Sequence, residues 1–101
     1  MKTMNMTMVR LYLTEESAHL EKLLKLLHDT EKVKGVTVYR GIEGYGDSGK
    51  VHTSSLIDLS LNLPLVVEFF DKAEKIEAIL DHLDTTIKSG HIVTWPVHVR
   101  I

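Results

Sequence analysis

Two stretches of helical period, each standing between runs of strand period, constrain this chain more than any other feature. Leu20, Leu23, Leu24 and Leu27 recur on one helix face, with Glu21, Lys22 and Lys25 between them. Ile76, Ile79, Leu80, Leu83 and Ile87 do the same further on. Ahead of the first helix, Met6 to Leu13 alternates. Thr7, Val9, Leu11 and Leu13 fall on one face and Met6, Met8, Arg10 and Tyr12 on the other. Between the helices, Val36 to Glu43 puts Val36, Val38, Arg40 and Ile42 in phase, and Leu65 to Phe70 (LVVEFF) is the most hydrophobic run, which predicts a central strand. His91 to Ile101 closes the chain with Val93, Trp95, Val97 and Val99 on one face, and Pro96 places that run at a sheet edge or bulge.

The order is strand, helix, strand, a loop, then strand, helix, strand. Two such halves make an α+β, ferredoxin-like βαββαβ sandwich, an antiparallel sheet with both helices on one face, in a single domain spanning 1–101. Local signals fill in the ends. Thr14 reads as a helix N-cap followed by Glu15 and Glu16, and Gly35 as that helix's terminator. Asp71 to Glu74 reads as a capping box, Gly90 as the end of the second helix, and Asn62 with Pro64 as a break. Val51 to Leu59 alternates as a short extension strand after the loop. Arg10 reads as a rim charge. The sheet face away from the helices carries Met6, Met8, Tyr39 and, depending on register, Trp95 or Phe70, which predicts a homo-oligomer that covers it.

Composition narrows the function classes. A formal net charge of -2 gives no basic excess for a nucleic-acid partner. The absence of cysteine excludes disulfides, thiolate metal sites and thiol nucleophiles. No run approaches the roughly 18–20 apolar residues of a membrane span, so no membrane insertion is expected. The start, MKTMNMTMVRLYL, has no apolar core of signal-peptide length, and a cytoplasmic location is the expectation.

The stretch Tyr39 to Thr53 (YRGIEGYGDSGKVHT) collects glycines at 41, 44, 46 and 49 among charged residues. Gly44 to Gly49 spells G-x-G-x-x-G, and Gly44 to Lys50 spells G-x-x-x-x-G-K. Both fail on context. Val51 stands where a phosphate loop needs Ser or Thr, and a strand rather than a helix follows. Backbone amides near Arg40, Lys50 and His52 still offer an anion-binding concavity without a helix. A mobile hairpin loop without a ligand is the plainer alternative.

Other chemistry is thinly supported. His19, His28 and His82 fall on helices among solvated charges, with Asp81 and Asp84 beside His82, and no histidine pair has the i, i+4 spacing of a zinc helix. Neither a metal site nor a catalytic residue is therefore assigned. Glu43 and Asp47 could form an acid–base pair, but Ser48, Ser54 and Ser55 lack a neighbouring base.

At KGVTVYRGIEGYG, followed by HTSSLIDLSLNLPLVVEFFD, the chain resembles the PII-like proteins grouped as domain of unknown function 190, related to the PII signal-transduction proteins. The matching positions are Gly35 to Gly46, His52, Leu59-Ser60, Leu63-Pro64 and Asp71. The resemblance implies a homotrimer in which nucleotide sits in clefts between subunits. It makes residues 41–50 the loop that meets a protein partner, and an adenine nucleotide or another phosphorylated metabolite the ligand. Ser89-Gly90-His91-Ile92 occupies the place of a D-G-K-I turn, with His91 where a lysine would face phosphate. The ligand residues it implies are Arg40, Gly41, Gly44, Gly46, Lys50, His52, Gly90 and His91. The expected role is a non-enzymatic sensor of a small anion that relays its state through the loop. Two alternatives stand beside it: a small enzyme using Glu43, Asp47 or His52 at an intersubunit cleft, and a purely structural oligomerisation module.

Overall fold

The structure, a computed structural model, describes residues 2–15, 19–45 and 63–101, together with the main chain of 52–53. The elements run β1 (Thr3–Thr14), α1 (Leu20–Lys25) continuing into a π-helical turn (Leu26–Thr30), β2 (Val36–Arg40) and β3 (Glu43–Gly44). Then come β4 (His52–Thr53), β5 (Pro64–Asp71), α2 (Ala73–Leu83) and β6 (Ile92–Arg100). The main sheet has the order β2-β5-β1-β6, antiparallel at every pairing. This is the expected ferredoxin-like order. The hydrophobic LVVEFF run lies in central β5, and Pro96 lies in edge strand β6.

Period-two alternation sets the layers. Val9 pairs with Phe69, Leu11 with Val67 and Leu13 with Leu65, all turned to the helix side. Val9, Leu11, Leu27, Val67, Ile76, Ile79 and Leu83 are wholly buried there and Phe69 nearly so. Removing each such side chain from water contributes about 1.5–3 kcal/mol. These contacts join the two halves of the chain into one core.

The register also settles the opposite face. Met8 stands between Phe70 and Trp95, Met6 opposite Val97, and Tyr39 opposite Val66. All five expected residues therefore share the uncovered face. Arg10 is not at its rim. It sits at the centre, donating to Glu68 Oε2 from Nε at 2.8 Å and lying 5.0 Å from the Trp95 ring centroid. Hydrogen bonding to Tyr12 first, and to Glu68 second, holds its pKa above the already high guanidinium value. A charge tolerated on an apolar face is paired and stacked in this way.

Several end signals are displaced. Thr14 ends β1, paired with Pro64, and Glu15 directly after it is helical, whereas the segment from Leu20 starts afresh behind His19, in the left-handed region at φ 44°. That helical segment ends at Glu31, with Lys32 left-handed at φ 60°, so Gly35 is not its terminator. The strand expected to reach Glu43 breaks at Gly41-Ile42, after which Glu43 and Gly44 pair with Thr53 and His52. The capping box does not form. Asp71 belongs to β5, its Oδ1 accepts from the Lys72 amide, and Lys72 caps α2 without a side-chain bond. Gly90 does not end α2, which stops at Leu83; its φ of 87° serves the turn into β6. Of the strand expected over Val51 to Leu59, only His52–Thr53 lies within the described residues.

Candidate functional site

The site begins where β2 ends. Arg40 pairs across the sheet with Leu65, and the Gly41 amide donates to the Pro64 carbonyl at 2.7 Å. A Cβ on Gly41 would lie 3.1 Å from Pro64 Cβ, and one on Gly44 3.2 Å from Pro64 Cγ. Both glycines thus let the chain fold closely over the proline that starts β5. Gly44 then pairs with His52, so the two ends of the loop meet there. Gly46, Gly49 and Lys50, and the His52 side chain, lie outside the described residues.

Arg40 has an occupied charge. Its Nε contacts Glu15 Oε1, a carboxylate just past the end of β1. That oxygen is buried and finds no aligned hydrogen-bond donor, so the contact is a charge pairing rather than a shaped bond. An anion arriving at Arg40 must compete with Glu15. In the sequence Glu15 looked like a helix-dipole carboxylate, and nothing local in TEES marks it as the partner of a residue 25 positions away.

The other half lies at the start of β6. Gly90 turns the chain, the His91 amide donates to the Lys88 carbonyl at 3.1 Å, and the Tyr12 amide donates to the His91 carbonyl at 2.9 Å. The His91 ring returns to the same residue: Nδ1 lies 2.8 Å from the Tyr12 carbonyl. A carbonyl only accepts, so Nδ1 carries the proton and the ring is held in one tautomer against β1.

Both halves stand at one end of the sheet, the end where β1 finishes and β5 begins. They stand on opposite edges. β2 and β6 are separated by three strand spacings, roughly 14–15 Å. One chain therefore brings Arg40, Gly41 and Gly44 together, and Gly90 with His91, but does not bring the two groups to one point.

Two histidines away from the site pair with carboxylates within the scaffold. His82 on α2 pairs with Glu31, and His28 Nδ1 lies 2.7 Å from Asp29 Oδ1. Among the described residues no cluster of three or more metal-ligating side chains occurs, and no helix is long and apolar enough to cross a membrane.

A model of the DUF190 family, described as uncharacterized ACR, COG1993, matches residues 6–99. The chain belongs to the DUF190 family. A UPF0166 protein of Methanocaldococcus jannaschii is 40% identical over 82 residues, covering 80% of this chain and 71% of that one. A UPF0166 protein of Aquifex aeolicus is 32% identical over 87 residues, covering 82% and 83%. Among solved structures, CPII from Thiomonas intermedia K12, a nitrogen regulatory PII-like protein bound to ADP, AMP and bicarbonate, superposes with a TM-score of 0.75. It is 20% identical, with 99% of this chain and 100% of that one covered. This DUF190 chain thus has the PII-like fold that its sequence resembles.

Proposed function

We propose that this DUF190 protein is a PII-like regulatory protein that binds an adenine nucleotide, or a closely related phosphorylated metabolite, between subunits of a homotrimer. The observation that carries the reading is the placement of its two candidate half-sites. Arg40, Gly41 and Gly44 end one edge of the sheet, and Gly90 and His91 begin the other, at the same end of the molecule. A cyclic assembly that sets the β2 edge of one subunit beside the β6 edge of the next closes this gap. The ADP and AMP bound by CPII, a protein of the same fold, support the ligand class.

In this reading the Gly90 backbone approaches phosphate, Arg40 leaves Glu15 to meet it, and His91, whose Nδ1 proton the Tyr12 carbonyl holds, borders the phosphate beside Gly90. Lys50 and His52 reach the ligand from the loop. Residues 41–50 then change their population between two arrangements, because the ligand binds one of them more tightly, and a protein partner reads the difference. Uncovered Met6, Met8, Trp95 and Val97 form the contact that builds the trimer.

Calorimetric titration of the purified protein with ADP, AMP and ATP tests the reading, beside sedimentation to give the subunit number. Saturable binding at up to one nucleotide per subunit in a trimer is expected. Silence toward all three nucleotides by a trimeric protein would leave the structural-module reading in its place.

A further inference from the structure

Three strands meet at one side chain on the sheet face away from the helices. Arg10 of β1 stands in register with Glu68 of β5 on one side and Val93 of β6 on the other. Its Nε and Nη2 donate to Glu68 Oε2 at 2.8 and 2.6 Å. Its guanidinium lies 5.0 Å from the ring centroid of Trp95, in β6. It also hydrogen-bonds the side chain of Tyr12, two residues along β1 on the same face. One cation thus ties β1 to both of its partners.

Tyr12 is at the same time the seat of His91. The two residues pair just past Leu11↔Ile92, the last register of the β1–β6 ladder. The Tyr12 amide donates to the His91 carbonyl, and His91 Nδ1 donates to the Tyr12 carbonyl. Beyond them the chain turns away at Gly90, with φ 87°. A pair at the end of a ladder opens more readily than one inside it, because neighbours close it on one side only.

Neutralising Arg10 would take Glu68 alone. The bond to Tyr12 and the contact with Trp95 are additional, and both fall on the strand pair that seats His91. Tyr12 is the β1 half of that seat, and Trp95 lies four residues into the strand that His91 leads.

We propose that Arg10 is a positioning residue of the ligand site: through the Tyr12 side chain and the Trp95 ring it fixes the end of the β1–β6 pair on which His91 is seated. This role rests on nucleotide binding beside His91 and adds to it a residue that acts through another. Arg10 lies on the face assigned to the contact between subunits, so that contact and the setting of His91 share one side chain. Covering the face takes the Arg10 bonds out of water, where they are stronger, and firms the seat.

The test uses the intact protein, with exchange of the Tyr12 amide and ADP affinity by calorimetry as the two readouts. Tyr12→Phe deletes the hydroxyl that Arg10 bonds and leaves both backbone contacts with His91 in place. An Arg10→Met, Glu68→Leu double variant removes the cation without leaving its carboxylate unpaired. Each should speed exchange at the Tyr12 amide and weaken ADP by about two- to tenfold, the range for one hydrogen bond, with far-ultraviolet circular dichroism retained. Tyr12→Phe added to the double variant should change neither readout further, since its partner is gone. Arg10→Lys keeps the charge opposite Glu68 but not the planar fork that meets Tyr12 and Trp95 together, and should lose as much as the double variant. In a wild type that binds ADP, unchanged affinity in the variants, unchanged Tyr12 exchange, or additive losses overturn the proposal and leave nucleotide binding standing. Wild-type behaviour of Arg10→Lys does the same, reducing Arg10 to a charge pair. Silence of the wild type toward ADP overturns nucleotide binding itself, and this role with it.

Discussion

His91 and Tyr12 hold each other twice: the Tyr12 amide donates to the His91 carbonyl at 2.9 Å, and His91 Nδ1 donates back to the Tyr12 carbonyl at 2.8 Å. The imidazole is therefore locked onto the end of β1 by the same strand pairing that begins β6. A group fixed in this way meets a ligand without losing rotamer freedom at the moment of binding.

If His91 faces phosphate, a permanent charge at that position should help. His91→Lys is expected to tighten ADP by about tenfold, because a hydrogen bond to a charged group contributes about 1.5–3 kcal/mol. His91→Ala should weaken it. Calorimetry on the three proteins at one pH and salt concentration checks the order; an unchanged affinity in both variants would remove His91 from the site.

Glu15 competes with the ligand for Arg40. Glu15→Gln keeps the shape and removes the charge, so nucleotide should bind about two- to fivefold more tightly, the range for an ion pair whose arginine is exposed to solvent. Arg40→Ala should weaken binding. If Glu15→Gln weakened it equally, Glu15 would be a structural support for the loop base and not a rival of the ligand.

Two glycines are predicted to matter for different physical reasons. Gly90 has φ 87°, and Gly90→Ala should cost about 1–2 kcal/mol of stability, through strain in the left-handed region with open space around the new methyl. Gly41 faces crowding instead, 3.1 Å from Pro64 Cβ, and Gly41→Ala should cost about 1–3 kcal/mol by overpacking. Urea denaturation of both variants measures the losses. A Gly41→Ala, Pro64→Gly double variant separates the causes, since removing Pro64 Cβ should restore part of the Gly41→Ala loss, whereas no neighbour lies within 4 Å of a Cβ on Gly90.

The uncovered sheet face should hold the assembly together. Met8 lies between Phe70 and Trp95, so Met8→Asp puts a charge in the centre of that face. Sedimentation should show the wild-type trimer falling to monomer in Met8→Asp, with far-ultraviolet circular dichroism retained. A variant that stays trimeric would move the subunit contact to another surface.

Much of the fold was legible because burial writes its period into the sequence. Val9 and Leu11 against Val67 and Phe69 alternate as half-buried strands must, and the order of strands and helices left few topologies. Chain ends were less legible, since a cap is chosen by competition among neighbours. Asp71 stayed in its strand and Lys72 became the cap, although DKAE spelled the usual box. Arg10 was misplaced to the rim because its partners, Glu68 and Trp95, are distant in sequence and meet it only through register. The candidate site divides in the same way. Its glycines announced a close approach and a turn, whereas Glu15 beside Arg40 and Tyr12 beside His91 depend on contacts between strands.

The central claim, a ligand site completed by two subunits, is tested most directly by mixing. Arg40→Ala and His91→Ala proteins are each unable to bind ADP well in this account, and are unfolded and refolded together in equal amounts. In a mixed trimer each cleft draws Arg40 from one subunit and His91 from its neighbour, so about one quarter of clefts should recover both intact residues. Calorimetry should then show wild-type affinity at about one quarter of the wild-type stoichiometry. No recovery in mixed trimers, with each single variant confirmed to weaken binding, would contradict the account and place both residues at sites within one chain.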